Sequence, residues 1–268
     1  MQASNAMPFA STNSDSDAQR GNRATSNLKA RGKPKPIDSW GHFIGYLGIL
    51  VGLVAWGAYT QHAGVGKPGT AAPGQLGSHS AALQFYFISM IGDWALFYYC
   101  FAGVRKNGGT LATLTGGRWL SWKQVAVDLA IAIPFWVIWE CVAYGVSHLL
   151  GPREAKSVAA LLPQTALEVV IWMFVCITAG FTEEVQSRGY LQQQFHALFG
   201  NISIAVLAQG LVFGLMHSYQ GWQAVLVIAV LGVLYGAMAA WRRNLRVVMI
   251  AHAWSDVWEG WLKFLIWR

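Results

Sequence analysis

The chain has 268 residues, of which 54% are hydrophobic and only 12% are charged. A soluble domain carries about 25% charged residues, and the apolar residues here fall in blocks of about 20, the length that a membrane-spanning helix needs. These features exclude an ordinary soluble domain and favour an all-α, polytopic transmembrane helical bundle. The net charge of +7 lies largely in the N-terminal tail and in short loops, so it is no sign of nucleic-acid binding.

The N-terminal region, residues 1–38, is polar and contains no apolar core of signal-peptide length. Its composition predicts a disordered tail. Residues 39–160 then contain three apolar blocks, which predict three N-terminal transmembrane helices at about 40–60, 82–104 and 125–150.

Residues 161–268 predict a core of four further helices, which begin near residues 165, 202, 222 and 247. The total is about seven spans, with eight as the alternative. Lys and Arg concentrate in the tail, in the 105–123 loop and in the 242–246 turn. By the positive-inside rule, these parts lie in the cytoplasm and the N-terminus lies with them.

Charged residues follow the fourth apolar block directly, in the stretch FTEEVQSRGY at residues 181–190. A charge within the bilayer costs roughly 2.5–3.5 kcal/mol, so such residues persist where they pair or where they function. Glu184 and Arg188 are four apart on a helix and can form an ion pair. Glu183 is rotated from Glu184 by about 100° and points elsewhere. One carboxylate is therefore left without this partner.

Two histidines complete the group of polar residues in the last third of the chain. Glu183 and His217 are equally far from Gly200, and residues equidistant from the turn of a helical hairpin lie at similar height, so these two are predicted neighbours. His252 and Asp256 are four apart on one helical face. A carboxylate with a histidine can take a proton from water, and a second histidine can stabilise an oxyanion.

Three further acids lie within or beside the apolar blocks. Asp93 and Glu140 lie mid-span, and such acids could line a water path, bind substrate or pair with a basic group. The sequence leaves these roles open. Asp128 lies near the cytoplasmic end of its span and is expected to be solvated.

The three motifs match those of a known family. EEVQSR fits EExxxR, FGLMH fits FxxxH, and HAWSD fits Hxxx(N/D), in that order and on apolar helices. Over roughly residues 164–260 the chain closely resembles the CAAX protease and bacteriocin-processing (Abi) membrane family, whose best-known members are the type II CAAX prenyl endopeptidases. The resemblance implies a glutamate-dependent intramembrane protease without a required metal or cofactor. The implied partners are membrane lipid and a peptide or lipidated-protein substrate.

The resemblance also implies a role for each matched residue, and makes residues 161–268 the catalytic core. Glu183 is the base that activates water, assisted by His217. Glu184 and Arg188 look like the structural ion pair of the motif. His252 and Asp256 look like the oxyanion-stabilising pair. The residues with an implied role are therefore Glu183, Glu184, Arg188, His217, His252 and Asp256.

Asp256 departs from the commoner form of the motif, because an Asn is frequent at this position. An ionised carboxylate would repel an oxyanion. Asp256 is therefore either protonated or orients His252 through a hydrogen bond.

Two other functions remain open on the sequence alone. The first is a zinc peptidase with Glu183, His217 and His252 as ligands, since two histidines and a carboxylate can form a catalytic zinc site, although the chain lacks HExxH. The second is a non-proteolytic membrane scaffold or immunity protein that binds a partner.

Overall fold

A computed structural model of the protein describes residues 34–63, 76–151 and 162–262. The regular secondary structure within these ranges is helical, and no β-strand occurs within them. This confirms the predicted all-α bundle. The predictions for most of the N-terminal tail, for part of the first loop and for the last residues of the seventh block lie outside the described residues.

The first half of the bundle consists of α1 (Trp40–Ala63), α2 (Leu76–Lys106), the short α3 (Leu111–Thr115) and α4 (Trp122–Leu150). The second half begins with α5 (Ala166–Glu184), a π-helical segment (Val185–Leu191) and α6 (Gln192–Phe199) in direct succession. It continues with α7 (Ile202–Met216), a 3₁₀ turn (Ser218–Gln220), α8 (Trp222–Arg242), α9 (Arg246–Val257) and a second π-helical segment (Trp258–Leu262).

Five helices of the described ranges are long and apolar enough to cross a membrane: Trp40–Thr60, Ala82–Lys106, Trp122–Leu150, Ala166–Phe199 and Trp222–Arg242. They indicate an integral membrane protein. With 15 residues, α7 is about 22 Å long, which is less than the hydrocarbon core of about 30 Å. With 12 residues, α9 is shorter still before its π-helical extension. Within the described residues, the helices of the fifth and seventh predicted spans are therefore shorter than a straight crossing requires.

Side-chain caps set the ends of the helices that carry the motifs. The side chain of Thr165 accepts a hydrogen bond from the backbone N–H of Glu168, which starts α5. Gly200 adopts a φ of 68° and ends α6. The side chain of Asn201 accepts bonds from two backbone N–H groups of the first turn of α7. The turn between α6 and α7 is therefore fixed on both sides.

Glycines bring the helices of the second half into close contact. A Cβ atom on Gly232 of α8 would lie 2.8 Å from the Cα of Gly210 on α7. A Cβ atom on Gly180 of α5 would lie 2.8 Å from the Cβ of Ala253 on α9. The small residues thus allow α7 to pack on α8 and α5 on α9, which places the three motifs side by side.

A fully buried carboxylate, Asp128 of α4, joins α4 to the turn between α8 and α9. Arg242 donates to its Oδ1 at 2.8 Å, and Arg246 Nε lies 2.9 Å from its Oδ2. Trp119 Nε1 also donates to Oδ2, at 2.9 Å. We call these four residues the Asp128 cluster. The prediction that Asp128 is solvated was wrong, because its partners come from a distant turn.

A second buried carboxylate, Asp38, joins α1, α2 and the first π-helical segment. It accepts hydrogen bonds from Tyr190 Oη at 2.6 Å and Asn107 Nδ2 at 3.0 Å. His42 Nδ1 and the backbone N–H of Ser39 contact it at 2.6 Å each. These five residues form the Asp38 cluster.

Residues 37 and 38, at the end of the predicted tail, are hydrogen-bonded to α6. The side chain of Gln194 on α6 accepts from the backbone N–H of Ile37 at 2.9 Å and donates to the carbonyl of Asp38 at 3.3 Å. The packed part of the chain therefore begins before residue 38, the predicted end of the tail.

Candidate active site

A buried ion pair lies where the four last helices meet. Arg188 Nη1 donates to Glu184 Oε1 at 2.8 Å, and neither side chain is exposed to solvent. This confirms the ion pair predicted from their spacing. Arg188 also donates to the carbonyl of Gly232 at 3.3 Å, and its guanidinium carbon lies 4.2 Å from the ring centroid of Phe213. Such added contacts offset the cost of removing the two charges from water.

His252 is bound to the same carboxylate. Its Nδ1 lies 2.7 Å from Glu184 Oε1. A carboxylate paired with arginine only accepts hydrogen bonds, so Nδ1 carries the proton and Nε2 faces away from Glu184. Glu184 thereby fixes the orientation of the imidazole ring.

Two partly exposed carboxylates face the other ring nitrogen. His252 Nε2 lies 3.9 Å from Glu183 Oε2 and 3.6 Å from Asp256 Oδ2. The side chains of Glu183 and Asp256 are 24% and 35% exposed. The predicted proximity of His252 and Asp256 on one helical face is confirmed. Glu183, His252 and Asp256 therefore border one hollow that water can enter.

His217 lies at the end of α7, on the far side of Phe213 from His252. Its Nδ1 lies 2.9 Å from the carbonyl oxygen of Phe213, so Nδ1 donates and Nε2 is left to accept. The Phe213 ring is 5.1 Å from the His217 ring and 6.0 Å from the His252 ring. The described contacts of Glu183 run to His252, and its predicted direct contact with His217 stays a prediction.

Residues 164–258 match the model of a family described as type II CAAX prenyl endopeptidase Rce1-like. This part of the chain, which we call the Rce1-like segment, is similar to that family. The matched range contains all six residues that the motifs single out. No curated protein and no solved structure matches the chain. The family's description is that of an endopeptidase, so the match supports a hydrolase, and specifically a protease, as the class of enzyme.

Within the Rce1-like segment, two hydroxyl groups that the motifs do not mark support His252. The Tyr235 hydroxyl lies 3.2 Å from Ser255 Oγ, which donates to the carbonyl of Ala251 at 2.9 Å. The Tyr235 ring lies 5.9 Å from the His252 ring. These contacts hold the turn of α9 that carries the histidine. Their only sequence signal is proximity to the motifs, which was too weak to identify them.

Tyr219, two residues after His217, is a further residue that sequence reasoning missed. Its ring stacks on His217 at a centroid distance of 6.2 Å. Burial raises the pKa of Tyr219 to about 12, and the nearby carboxylates of Glu183, Asp256 and Asp93 act in the same direction. The hydroxyl of Tyr219 therefore stays protonated at neutral pH and can donate a hydrogen bond at the edge of the hollow.

Gln186 of the Rce1-like segment is hydrogen-bonded to both of the first two helices. Its Nε2 donates to the backbone carbonyl of Asp93 on α2 at 3.1 Å, and its Oε1 accepts from the Tyr46 hydroxyl of α1 at 3.1 Å. Ser218 Oγ also donates to the carbonyl of Val54 on α1 at 3.1 Å. The helices outside the matched range are therefore part of the wall of the site.

The arrangement of these side chains bears on the zinc alternative. Among the residues that the structure describes, no group of three or more His, Cys, Asp or Glu side chains is placed to hold a metal ion. The geometry does not favour a site formed by Glu183, His217 and His252.

Proposed function

We propose that the chain is a CAAX prenyl endopeptidase-like intramembrane protease. It hydrolyses a peptide bond near the terminus of a membrane-associated or lipidated protein, using water activated by Glu183. The observation that carries this proposal is the partly exposed Glu183 carboxylate beside an imidazole that Glu184 holds in place at 2.7 Å. A general base must reach water, and the group that stabilises charge must be preorganised.

In the proposed reaction, Glu183 removes a proton from a water molecule as the water oxygen bonds to the carbonyl carbon. His217 Nε2 accepts the second hydrogen of that water and orients it. The two carboxylates opposite His252 Nε2 favour the imidazolium form, which donates a hydrogen bond to the developing oxyanion. The C–N bond then breaks, and the amine takes a proton from the active-site carboxyl.

We assign Asp256 to the orientation of His252. The contact of 3.6 Å between its Oδ2 and His252 Nε2 supports this role. Asp256 then acts on the imidazole and makes no direct contact with the oxyanion, so its negative charge is offset by the imidazolium between them.

The orientation in the membrane is part of the proposal. We place the N-terminus, the 105–123 loop and the 242–246 turn in the cytoplasm, with the hollow open toward that side and toward lipid. The exposed cations Arg105, Lys106, Arg118, Lys123 and Arg243 lie in these connections or at the adjoining helix ends. Cysteines introduced there should react with an impermeant reagent from the cytoplasmic side only, and labelling from the other side would reverse the assignment.

Cleavage of synthetic peptides by purified protein in lipid nanodiscs tests the function. Matched peptides with and without a prenyl group, analysed by mass spectrometry, show whether the lipid is required. Glu183→Gln should reduce turnover by about 10²- to 10⁴-fold. Glu259→Gln makes the same chemical change at an exposed carboxylate and should leave turnover unchanged.

A chelator should not affect the reaction, and loss of activity that added zinc restores would favour the zinc peptidase instead. Wild-type turnover by Glu183→Gln would refute the proposal. Rescue of a deletion phenotype by the same variant would favour the scaffold function.

A further inference from the structure

Asp93 is an acid in the middle of a membrane-spanning helix, and no motif of the Rce1-like segment includes it. It lies in α2, within the stretch FISMIGDWALFYY. Acids at such positions are costly and mark functional sites by default. Its role therefore has to be found from its surroundings.

The turn of α2 that carries Asp93 packs against the segment that carries Glu183 and Gln186. Gln186 Nε2 donates to the backbone carbonyl of Asp93 at 3.1 Å. On the same face, the rings of Trp94 and Phe97 lie 5.9 and 5.4 Å from the ring of Phe181. These contacts fix the position of residue 93 without using its side chain.

The side chain of Asp93 is half-buried. It interacts electrostatically with Glu183 of α5 and with His252 and Asp256 of α9. It also interacts with Tyr219 of the 3₁₀ turn. Groups from three separate elements thus surround one carboxyl, and all of them border the proposed active site.

The charges of this group do not balance if every carboxyl is ionised. Arg188 is already paired with Glu184, so this pair adds no net positive charge to the group. The carboxyls of Glu183, Asp93 and Asp256 all interact with the imidazole of His252, and Asp256 also interacts with that of His217. Like charges that interact across one hollow oppose one another's ionisation, which favours a state that retains a proton among these carboxyls.

We propose that Asp93 is a proton-sharing carboxyl of the hydrolytic site that acts through Glu183, which makes it a positioning residue. This proposal rests on the proposed function. In the resting state, Asp93 and Glu183 hold one proton between them. They gain a second from water as the water oxygen bonds to the carbonyl carbon. They give one to the amine nitrogen as the C–N bond breaks, and so return to their starting state.

Asp93→Asn tests this role, since the amide has nearly the same shape, keeps the backbone carbonyl bound by Gln186 and cannot exchange the proton. We expect kcat to fall by about 10- to 100-fold with KM unchanged. The basic limb of the pH profile of kcat, which reports loss of the shared proton, should disappear, because an amide at position 93 has no such proton to lose. Ser89→Ala, one turn away on the same helix, is the control and should leave both kcat and the profile unchanged.

Wild-type kcat and an unchanged pH profile in Asp93→Asn would overturn the proposal, as would a rise in KM at unchanged kcat. If Asp93→Asn fails to fold, Asp93→Glu decides, because it keeps an exchangeable proton. Activity with a displaced pH profile in that variant supports the role, and a wild-type profile overturns it. Wild-type cleavage that requires Glu183 but not the Asp93 carboxyl would refute this inference alone, whereas absence of any Glu183-dependent cleavage would refute the proposed function.

Discussion

Carboxylates of two kinds lie inside this bundle, one in the Asp38 and Asp128 clusters and the other in the candidate active site. Asp38 accepts from four donors, and Asp128 contacts two arginines and a tryptophan. Glu183 and Asp256 instead share one ring nitrogen, at 3.9 and 3.6 Å. A carboxylate therefore stabilises the fold where hydrogen-bond donors saturate it, and it remains available to water where they do not.

Glu184 lies between the two kinds. It is fully buried and bound to Arg188, as a structural carboxylate is, yet it also holds the histidine of the site. A variant at this pair should therefore affect both stability and turnover. Substitutions at the two kinds of carboxylate should therefore differ in their effect on stability, from the buried ion pair as the largest to Asp256 as the smallest.

The largest effect is expected for Arg188→Met, which leaves the buried Glu184 carboxylate without its cation. The free energy of unfolding should fall by about 3–5 kcal/mol, measured by chemical denaturation in detergent. The double variant Arg188→Met/Glu184→Gln should recover part of this loss because no charge is then unpaired. A loss below about 1 kcal/mol in the single variant would show that Glu184 is not dehydrated as the structure indicates.

A smaller effect is expected for Asp128→Asn. It weakens the contacts to Arg242 and Arg246, whose side chains are partly exposed, and unfolding should be easier by about 1–3 kcal/mol. Turnover should persist at temperatures where the protein stays folded. A loss of kcat in fully folded protein would place Asp128 among the functional carboxylates and contradict its assignment to the carboxylates that only stabilise the fold.

Tyr190→Phe removes one of the four donors to Asp38. The remaining three keep the carboxylate satisfied, so the expected destabilisation is about 1 kcal/mol, which a shift in thermal midpoint can measure. His42→Ala, which removes another donor of the same cluster, is the matched comparison. A far larger loss for Tyr190→Phe would mean that the hydroxyl also holds the π-helical segment in place.

The smallest effect on stability is expected for Asp256→Asn, within about 0.5 kcal/mol, since this side chain is partly exposed. An amide can still orient His252 through a hydrogen bond, and Glu183 remains to favour the imidazolium form. The value of kcat/KM should therefore stay close to that of the wild type. A tenfold decrease would assign a necessary negative charge to Asp256.

Local spacing was enough to predict part of this molecule. Apolar blocks predicted the helices, because segments in lipid must satisfy their backbone groups internally. The four-residue spacing predicted the contacts of Glu184 with Arg188 and of His252 with Asp256, because both depend only on helical pitch. The order of the motifs then indicated the family.

Contacts between distant residues were not predictable in this way. The bond from Glu184 to His252 joins residues 68 apart, and the bond from Asp38 to Tyr190 joins residues 152 apart. The predicted proximity of Glu183 and His217 depends on two straight helices that form a hairpin. The structure interposes a π-helical segment, Val185–Leu191, before the turn. No composition rule identifies such a segment, although π-helical turns recur at functional sites.

Gly180 contributes a side chain of one hydrogen atom, and the spacing of the catalytic groups depends on it. A methyl group there would lie 2.8 Å from Ala253 Cβ and 2.9 Å from the carbonyl oxygen of Met249. It would act as a wedge between α5, which carries Glu184, and α9, which carries His252. The absence of a side chain at position 180 thus allows the close approach of α5 and α9 that brings Glu184 to His252, although Gly180 itself takes no part in the reaction.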